Sequence, residues 1–572
     1  MDGHDDHHRW PDGSVVKENR VATLVIRGGA VYDPLHHRDG EIIDLWIENG
    51  KVVEPPADPA FRADKELDAS GCVVMPGGVD MHCHIAGPKV NAARRMLAGA
   101  QRSARQLGVP QFPRAGNAGP VPSSFATGYL YAGLGYTTAF DAAIPPLHAR
   151  AVHAEFADLP ILDKGFYTLL GNNQFVMQCL AQNNQPALEA FVAWVLNAAY
   201  GYAVKIVNPG GVEYWKSARL PLDDLDMPIG SERVTPRRIV RQLAEAADRL
   251  RLPHPVHIHC NHLGIPGNWR TTLATMQSLE GHRGHFTHIQ YHSYAGEPND
   301  QATFGSATAQ LVEYVESHPE ITVDVGQVLF GDTVSMTGDS QVGYYLHRLT
   351  GRRWFSGDTE VEGGCGVVPI TYRDKSAVHA LQWAIGLEWY LLMSDPWRIA
   401  MSTDHPNGAS FLAYPQIIAF LMSESLRAEM LARLPAAMRS KTILGDLKRE
   451  YSLREIAIIT RAAPARMLGL ANKGHLGCGA DADVTIYSRQ DDLREMFEIP
   501  RYVLKGGEVV VDGGELRSTP TGATWHTLRT WDESFEKHMA SFFRDRYTLN
   551  IKNYVLEPED LAGQTASNST SG

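Results

Sequence analysis

In the stretch Asp80-Met81-His82-Cys83-His84, two histidines stand two positions apart behind an apolar lead-in, CVVMPGGV, that reads as a β-strand. Residues i and i+2 of a strand project to the same side, so His82 and His84 can offer two imidazoles to one cation. The bland alternative is a pair of strand-end histidines satisfied by hydrogen bonds. Lys205 lies inside Tyr-Ala-Val-Lys-Ile-Val, where a buried ammonium is costly unless it is neutralised, paired or chemically changed. A lysine that snorkels to the surface is the ordinary alternative there. His257 and His259 alternate along a further apolar run, His288 and His292 bracket the end of another, and Asp404 sits in Ser402-Thr403-Asp404-His405-Pro406 at the close of a last one. Imidazole, amine and carboxylate thus recur at successive strand ends.

Those donors need a scaffold that brings strand ends together. Between the chain termini, short runs rich in Val, Ile and Thr alternate with longer amphipathic stretches such as RRIVRQLAEAADRL at 238–251, the rhythm of repeated βα units. Core strands are expected in 72–84, 136–143, 161–171, 202–208, 255–260, 285–293, 321–330 and 398–406. Eight parallel strands close an α/β (β/α)8 TIM-type barrel, whose active sites lie at the C-terminal face. Both ends of the chain read differently. Alternating strands occupy 22–53, with Asn49-Gly50 as a type I′ hairpin turn, and a similar pattern returns at 482–487 and 501–517. These pieces make either two domains or one sheet assembled from both ends. The expected division is a small β-sandwich-like domain from 1–70 and 471–520, a barrel over 71–470 and a C-terminal extension over 521–572. The 116 positions from His288 to Asp404 (404 − 288) exceed what one βα unit and the return strand require, which places an insertion around 296–380.

Composition narrows the function. With 53 basic against 65 acidic side chains the chain carries a formal charge of −12, unsuited to gripping nucleic acid phosphates or an anionic membrane. The 6 cysteines form no C-x-x-C pair, which speaks against iron–sulfur ligation and a dense disulfide framework and fits a reducing cytoplasm. No run of about 18 apolar residues occurs, so no helical span is expected.

Taken in order, PGGVDMHCH, the lysine strand, STDHP, the helix TRAAPARMLGL at 460–470 and the returning GCGADADVTIY resemble the amidohydrolase superfamily. The likeness is to its two-zinc, carboxylated-lysine branch, shared with hydantoinases and dihydroorotases. It covers most of the chain and implies the amidohydrolase fold. Position by position it implies that His82 and His84 bind the more buried zinc and that N-carboxylated Lys205 bridges both metals. It further implies that His259 and His288 hold the second zinc, and that Asp404 ligates the first and serves as acid and base. His259 is preferred to His257 because it lies nearer the strand end and opens the loop HCNHLG; His257 is the reserve ligand. His262, His292 and His405 are expected around the metals or the substrate. Manganese or cobalt would suit the same donors.

A narrower resemblance rests on KIVNPGG at 205–211, HIHCNHLGIPGNW at 257–269, THIQYHSY at 287–294 and FFRDRYTLNIKNYVL at 542–556. These look like the A-subunit family of formylmethanofuran dehydrogenase and of the formyltransferase/hydrolase complex. The resemblance implies interconversion of formylmethanofuran with formate and methanofuran in one-carbon metabolism, with other subunits, including a formyltransferase, as partners. Only 14 of the 53 basic residues are Lys, which suits a GC-rich bacterial genome and favours the formyltransferase/hydrolase complex over the dehydrogenase. A cyclic amidase of hydantoinase or dihydroorotase type is the enzymatic rival. One further expectation rests on charge alone. No acidic residue lies between Asp80 and Asp141, whereas Lys89, Arg94, Arg95, Arg102, Arg105 and Arg114 do. Arg94 and Arg95 are therefore expected to meet an anionic substrate tail, against the alternative of a solvated or interface helix.

Overall fold

The computed structural model describes residues 23–97, 106–107, 116–117, 119–218, 222, 224–337, 340–357, 365–561 and 566–567. Eight parallel strands form its centre: β1 (Gly78–Cys83), β2 (Tyr136–Ile144), β3 (Asp163–Leu169), β4 (Ala203–Val207), β5 (Val256–His259), β6 (Gly284–Phe286), β7 (Ile321–Asp324) and β8 (Ile399–Ala400). Each pairs with the next in chain order. The ring closes where the His84 N–H donates to the His405 carbonyl at 2.7 Å and Cys83 bridges His405 in parallel. Each run expected in the barrel holds a strand, but β6, β7 and β8 end at Phe286, Asp324 and Ala400, well short of the expected 293, 330 and 406. The strands read as near-continuous apolar runs because helices cover one face and the barrel interior the other.

The covering helices follow from their apolar stripes. In Pro236–Arg249 the Thr235 hydroxyl caps the first turn, Pro236 occupies a position needing no N–H, and Ile239, Val240, Leu243, Ala244 and Ala247 face the barrel. Burying a side chain such as Leu243 contributes roughly 1.5–3 kcal/mol, and truncating it to Ala would cost about 2–5 kcal/mol.

Both chain ends build one nine-stranded mixed sheet and not two separate domains. Val484–Ser488 lies antiparallel on Cys72–Pro76, whose other neighbour is Thr23–Asp33. Asn49 and Gly50 have φ of 49° and 77°, as a primed turn between Glu48 and Lys51 requires. Part of the region expected as an extension joins the barrel. Thr524 pairs in parallel with Lys164 at the N-terminal end of β3, and the Thr527 N–H bonds the Gly201 carbonyl at 2.9 Å. The helix Glu536–Arg546 then seats Phe542 against Phe175.

The insertion is narrower than expected. Helix Thr308–Ser317 and β7, both within 296–380, complete an ordinary barrel unit. What is added is a hairpin, Tyr294–Glu297 with Asp300–Ser306, and a three-stranded antiparallel sheet of Gly331–Thr337, Phe355–Gly357 and Cys365–Tyr372 with helix Ser340–Thr350. Loop spacing alone cannot separate one long insertion from two short ones flanking a four-residue strand. Among the described residues no helix is long and apolar enough to cross a membrane.

Candidate metal centre

At the C-terminal face, His82 and His84 project inward from β1. The Nε2 atoms of His82 and His84 lie 3.0 and 3.2 Å from the same Oδ1 of Asp404. Asp404, beyond the end of β8, has a φ of 50°, a left-handed conformation that Asp adopts more readily than most residues, and its carboxylate meets the two histidines at the end of β1. The three groups could hold one ion. Burial alone would raise the Asp404 carboxyl. The neighbouring His288 and His82 imidazoles, with hydrogen bonds from His82 and His84, instead hold it well below the usual carboxylate range.

Across the ring, Lys205 sits within β4 beside Leu169, and its Nζ is buried without a hydrogen-bond partner among the described residues. Burial lowers this ammonium to about 7, against the pull of Asp324 and Asp404. His259, at the end of β5, pairs in register with Val207. His288 has a φ of 37°, and Gly326 passes so close that a β-carbon there would stand 2.4 Å from that of His288. With His292 these form a second group able to hold an ion. His259 Nε2, His288 Nδ1 and both nitrogens of His292 are buried and unpartnered among the described residues, an arrangement a native core rarely tolerates. Burial pushes the His288 imidazole down to about 3 and those of His259 and His292 well below the ordinary value, so all three present lone pairs. Two nitrogen-rich donor groups on either side of this amine fit a metal centre.

Beneath this layer lies a second tier of polar groups that is fully bonded. His257 Nε2 is 2.8 Å from His82 Nδ1, and its Nδ1 is 2.9 Å from His254 Nε2. Asp324 accepts from the Ser402 hydroxyl at 2.5 Å, the His288 N–H at 3.0 Å and His285 Nε2 at 3.0 Å. Asp141 accepts the Ile85 and Ala86 N–H groups and lies 3.6 Å from His84 Nδ1.

The site opens into a cavity of about 890 Å³ lined by His82, His84, Lys205, His259, His288 and Asp404 at its floor. Ala143, Val207, Leu263 and Ile265 supply apolar wall, and the insertion supplies Met336, Tyr345, Ile370 and Tyr372. Its rim carries Arg348, Arg352 and Arg373, all exposed and with no carboxylate in ion-pair distance among the described residues.

Other expected residues lie elsewhere. Arg94 is turned inward, pairing with Glu155 at 3.2 Å and donating to the Pro122 and Ile85 carbonyls. Arg95 is exposed, and neither arginine lines the cavity. Arg102, Arg105 and Arg114 lie outside the described residues, whereas Lys89 reaches His84 Nδ1 at 3.3 Å. His262 spends both nitrogens on the Leu222 carbonyl and Thr271, and His405 packs edge-on to Phe411 while accepting its N–H. Sequence patterns did not single out Asp324 and Asp141. Each is an Asp at or near a strand's C-terminal end, in ITVD and YTTAFD, and that placement was the available signal.

The chain matches the Amidohydrolase family over residues 65–511. It is 42% identical over 558 residues to Protein FwdA of Methanocaldococcus jannaschii, covering 94% of this chain and 97% of the relative. The A-subunit of the formyltransferase/hydrolase complex Fhc of Methylorubrum extorquens is 40% identical over 542 residues, 93% of this chain and 96% of that one. A chain in the crystal structure of the Methylorubrum extorquens formyltransferase/hydrolase complex FhcABCD with methylofuran superposes with a TM-score of 0.89 at 38% identity, covering 95% of this chain and 99% of the other.

Proposed function

The chain belongs to the amidohydrolase family, and from that premise we propose that it reversibly hydrolyses an N-formylmethanofuran-type formamide to formate and the free amine. In this reading it is the hydrolytic A-subunit of a formyltransferase/hydrolase complex, working beside a formyltransferase and further subunits. The observation that carries the proposal is the convergence, in one apolar-walled cavity, of two imidazole-rich donor groups on an unpartnered buried lysine. The full-length likeness to the Fhc A-subunit supports the choice of a linear formamide over a cyclic amide.

His82, His84 and Asp404 would hold one zinc ion, and His259 and His288 the second, with His292 the additional nitrogen in reach. Such a centre supplies a water-derived nucleophile at neutral pH and polarises the amide oxygen. Lys205 Nζ, neutral above about pH 7, adds to CO₂ with loss of one N–H proton, and the resulting carbamate replaces a costly buried cation with two oxygen donors. Asp404, kept ionised by its imidazole neighbours, takes a proton from the attacking water and returns it to the amine nitrogen as the C–N bond breaks. The apolar walls exclude bulk water and suit a furan ring. Arg348, Arg352 and Arg373, in place of Arg94 and Arg95, are the guanidiniums offered to carboxylates on the carrier. Unpaired thiols at Cys72, Cys83, Cys179, Cys260 and Cys478 support a cytoplasmic setting.

The test is formate release from N-formylmethanofuran and from furfurylformamide by the complex, abolished by chelation and restored by zinc. Opening of hydantoin or dihydroorotate without formate release would replace this reading with the cyclic amidase.

A further inference from the structure

The bonded tier beneath the metal donors has a direction. His254 Nδ1 faces the Met467 carbonyl oxygen at 2.8 Å, and a carbonyl only accepts, so the proton sits on Nδ1. The contact between His254 Nε2 and His257 Nδ1, at 2.9 Å, then needs its one proton from His257. The contact between His257 Nε2 and His82 Nδ1, at 2.8 Å, needs its proton from His82. Three neutral imidazoles carry three N–H protons, which satisfies all three contacts and leaves one bare lone pair, on His82 Nε2. That is the atom 3.0 Å from Asp404; without metal a second proton on His82, whose imidazole is raised against burial by Asp324 and Asp404, bridges the two, and a metal ion would take that proton's place. Other acceptors agree, since the Thr287 hydroxyl oxygen and, at 3.5 Å, Asp324 Oδ2 also face His82 Nδ1. Reversing the chain would set a nitrogen lone pair against the Met467 carbonyl in a fully buried place, an unsatisfied pair costing about 1–3 kcal/mol.

We propose that His254 and His257 are positioning residues that lock the tautomer of His82, so that its Nε2 is delivered to the metal. Aromatic neighbours hold the rings in place, with Tyr167 stacked against His254 at 5.1 Å and packed on His257 at 4.4 Å, and His285 stacked on His257 at 4.6 Å. An ion bound between His82 Nδ1, His257 Nε2 and Asp324 is the competing use of these atoms. Two nitrogens on one tetrahedral zinc at about 2.0–2.1 Å stand about 3.4 Å apart, whereas these are 2.8 Å apart, a hydrogen-bond distance. The lock starts at Met467, on the helix Ala463–Leu468, so a residue near the C-terminal end of the barrel region sets the protonation of one near its beginning.

The inference rests on His82 being a metal ligand, and the experiment separates the two claims. Metal affinity of the full-length complex is measured by chelator competition, with Tm, for wild type, His254→Gln and His254→Phe. Gln can donate to Met467 and accept from His257, whereas Phe fills the space without doing either. His254→Gln should stay within about 3-fold of wild type, and His254→Phe should bind metal about 10- to 100-fold more weakly at a similar Tm. Equal affinity in His254→Phe and wild type, or equal losses in both variants, overturns the lock. A wild-type chain that binds no metal overturns the site reading instead. Should His254→Phe not accumulate, a neutron structure of the wild-type holoenzyme decides: deuterium on Nδ1 of His254 and His257 supports the lock, and on Nε2 sinks it.

Discussion

Buried lysines at opposite ends of the barrel, Lys473 and Lys505 at one and Lys205 at the other, differ in whether their charge is answered. Lys473 Nζ meets Asp163, Asp481 at 2.8 Å and Asp483 at 2.7 Å, while Lys505 meets Asp163 and Asp483 at 2.6 and 2.8 Å. Burial alone would lower Lys473, but three carboxylates raise it well above an ordinary lysine. This cluster ties the terminal sheet to the start of β3, and its job is architectural. Lys205 is as deeply buried and has no hydrogen-bond partner among the described residues, and burial lowers it to about 7. A buried polar group that is fully bonded explains itself by the fold; one that is not points to a group that completes it.

That contrast can be broken by substitution. Lys205→Ala should reduce kcat/KM by about 10³-fold or more, the several kcal/mol a metal centre supplies, with loss of bound metal and little change in Tm. Short carboxylic acids should restore part of the activity by standing in for the carbamate. Full activity at normal metal content would remove Lys205 from the site. Lys473→Met should do the reverse: stability falls by about 3–5 kcal/mol as buried carboxylates lose their partner, while metal per folded chain is unchanged. Chemical denaturation with metal analysis checks both.

Acidity gives a finer test on metal-free protein. Lys205 titrates near 7 folded and near about 10.4 unfolded, so between those values the unfolded chain binds more protons and stability rises with pH. Lys205→Ala should flatten that rise, apart from the part due to Lys164, which burial lowers to about 8. Lys473, raised in the fold, stabilises below about 10.4 and is lost only above, so Lys473→Met should leave the slope between 7 and 10 as it is. The smallest effect belongs to the arginines. Arg352→Glu should raise KM for a polyanionic carrier about 2- to 5-fold and weaken its salt dependence, the range of exposed ion pairs. Arg94→Gln, which removes an answered charge, should lower Tm and leave KM alone.

The legible part of the molecule was the part written in short-range pattern. His82-x-His84 and Lys205 stand out because strand periodicity assigns their direction and an apolar neighbourhood makes them anomalous. Asp324 did not, because an Asp closing a strand looks the same whether it bonds a neighbour or faces an empty space. Arg94 misled for the same reason: a run of like charge shows nothing of Glu155, 61 residues away, waiting inside.

The sequence by itself determined the eight strands, their parallel order and the types of donor at their ends, since these follow from local periodicity and apolar runs. Only the tertiary structure decided that both chain ends share one sheet, that the rim arginines come from the insertion and that Met467 faces His254. Each of those depends on which distant groups share a low-dielectric space, where one hydrogen bond made or missing separates a structural residue from a functional one.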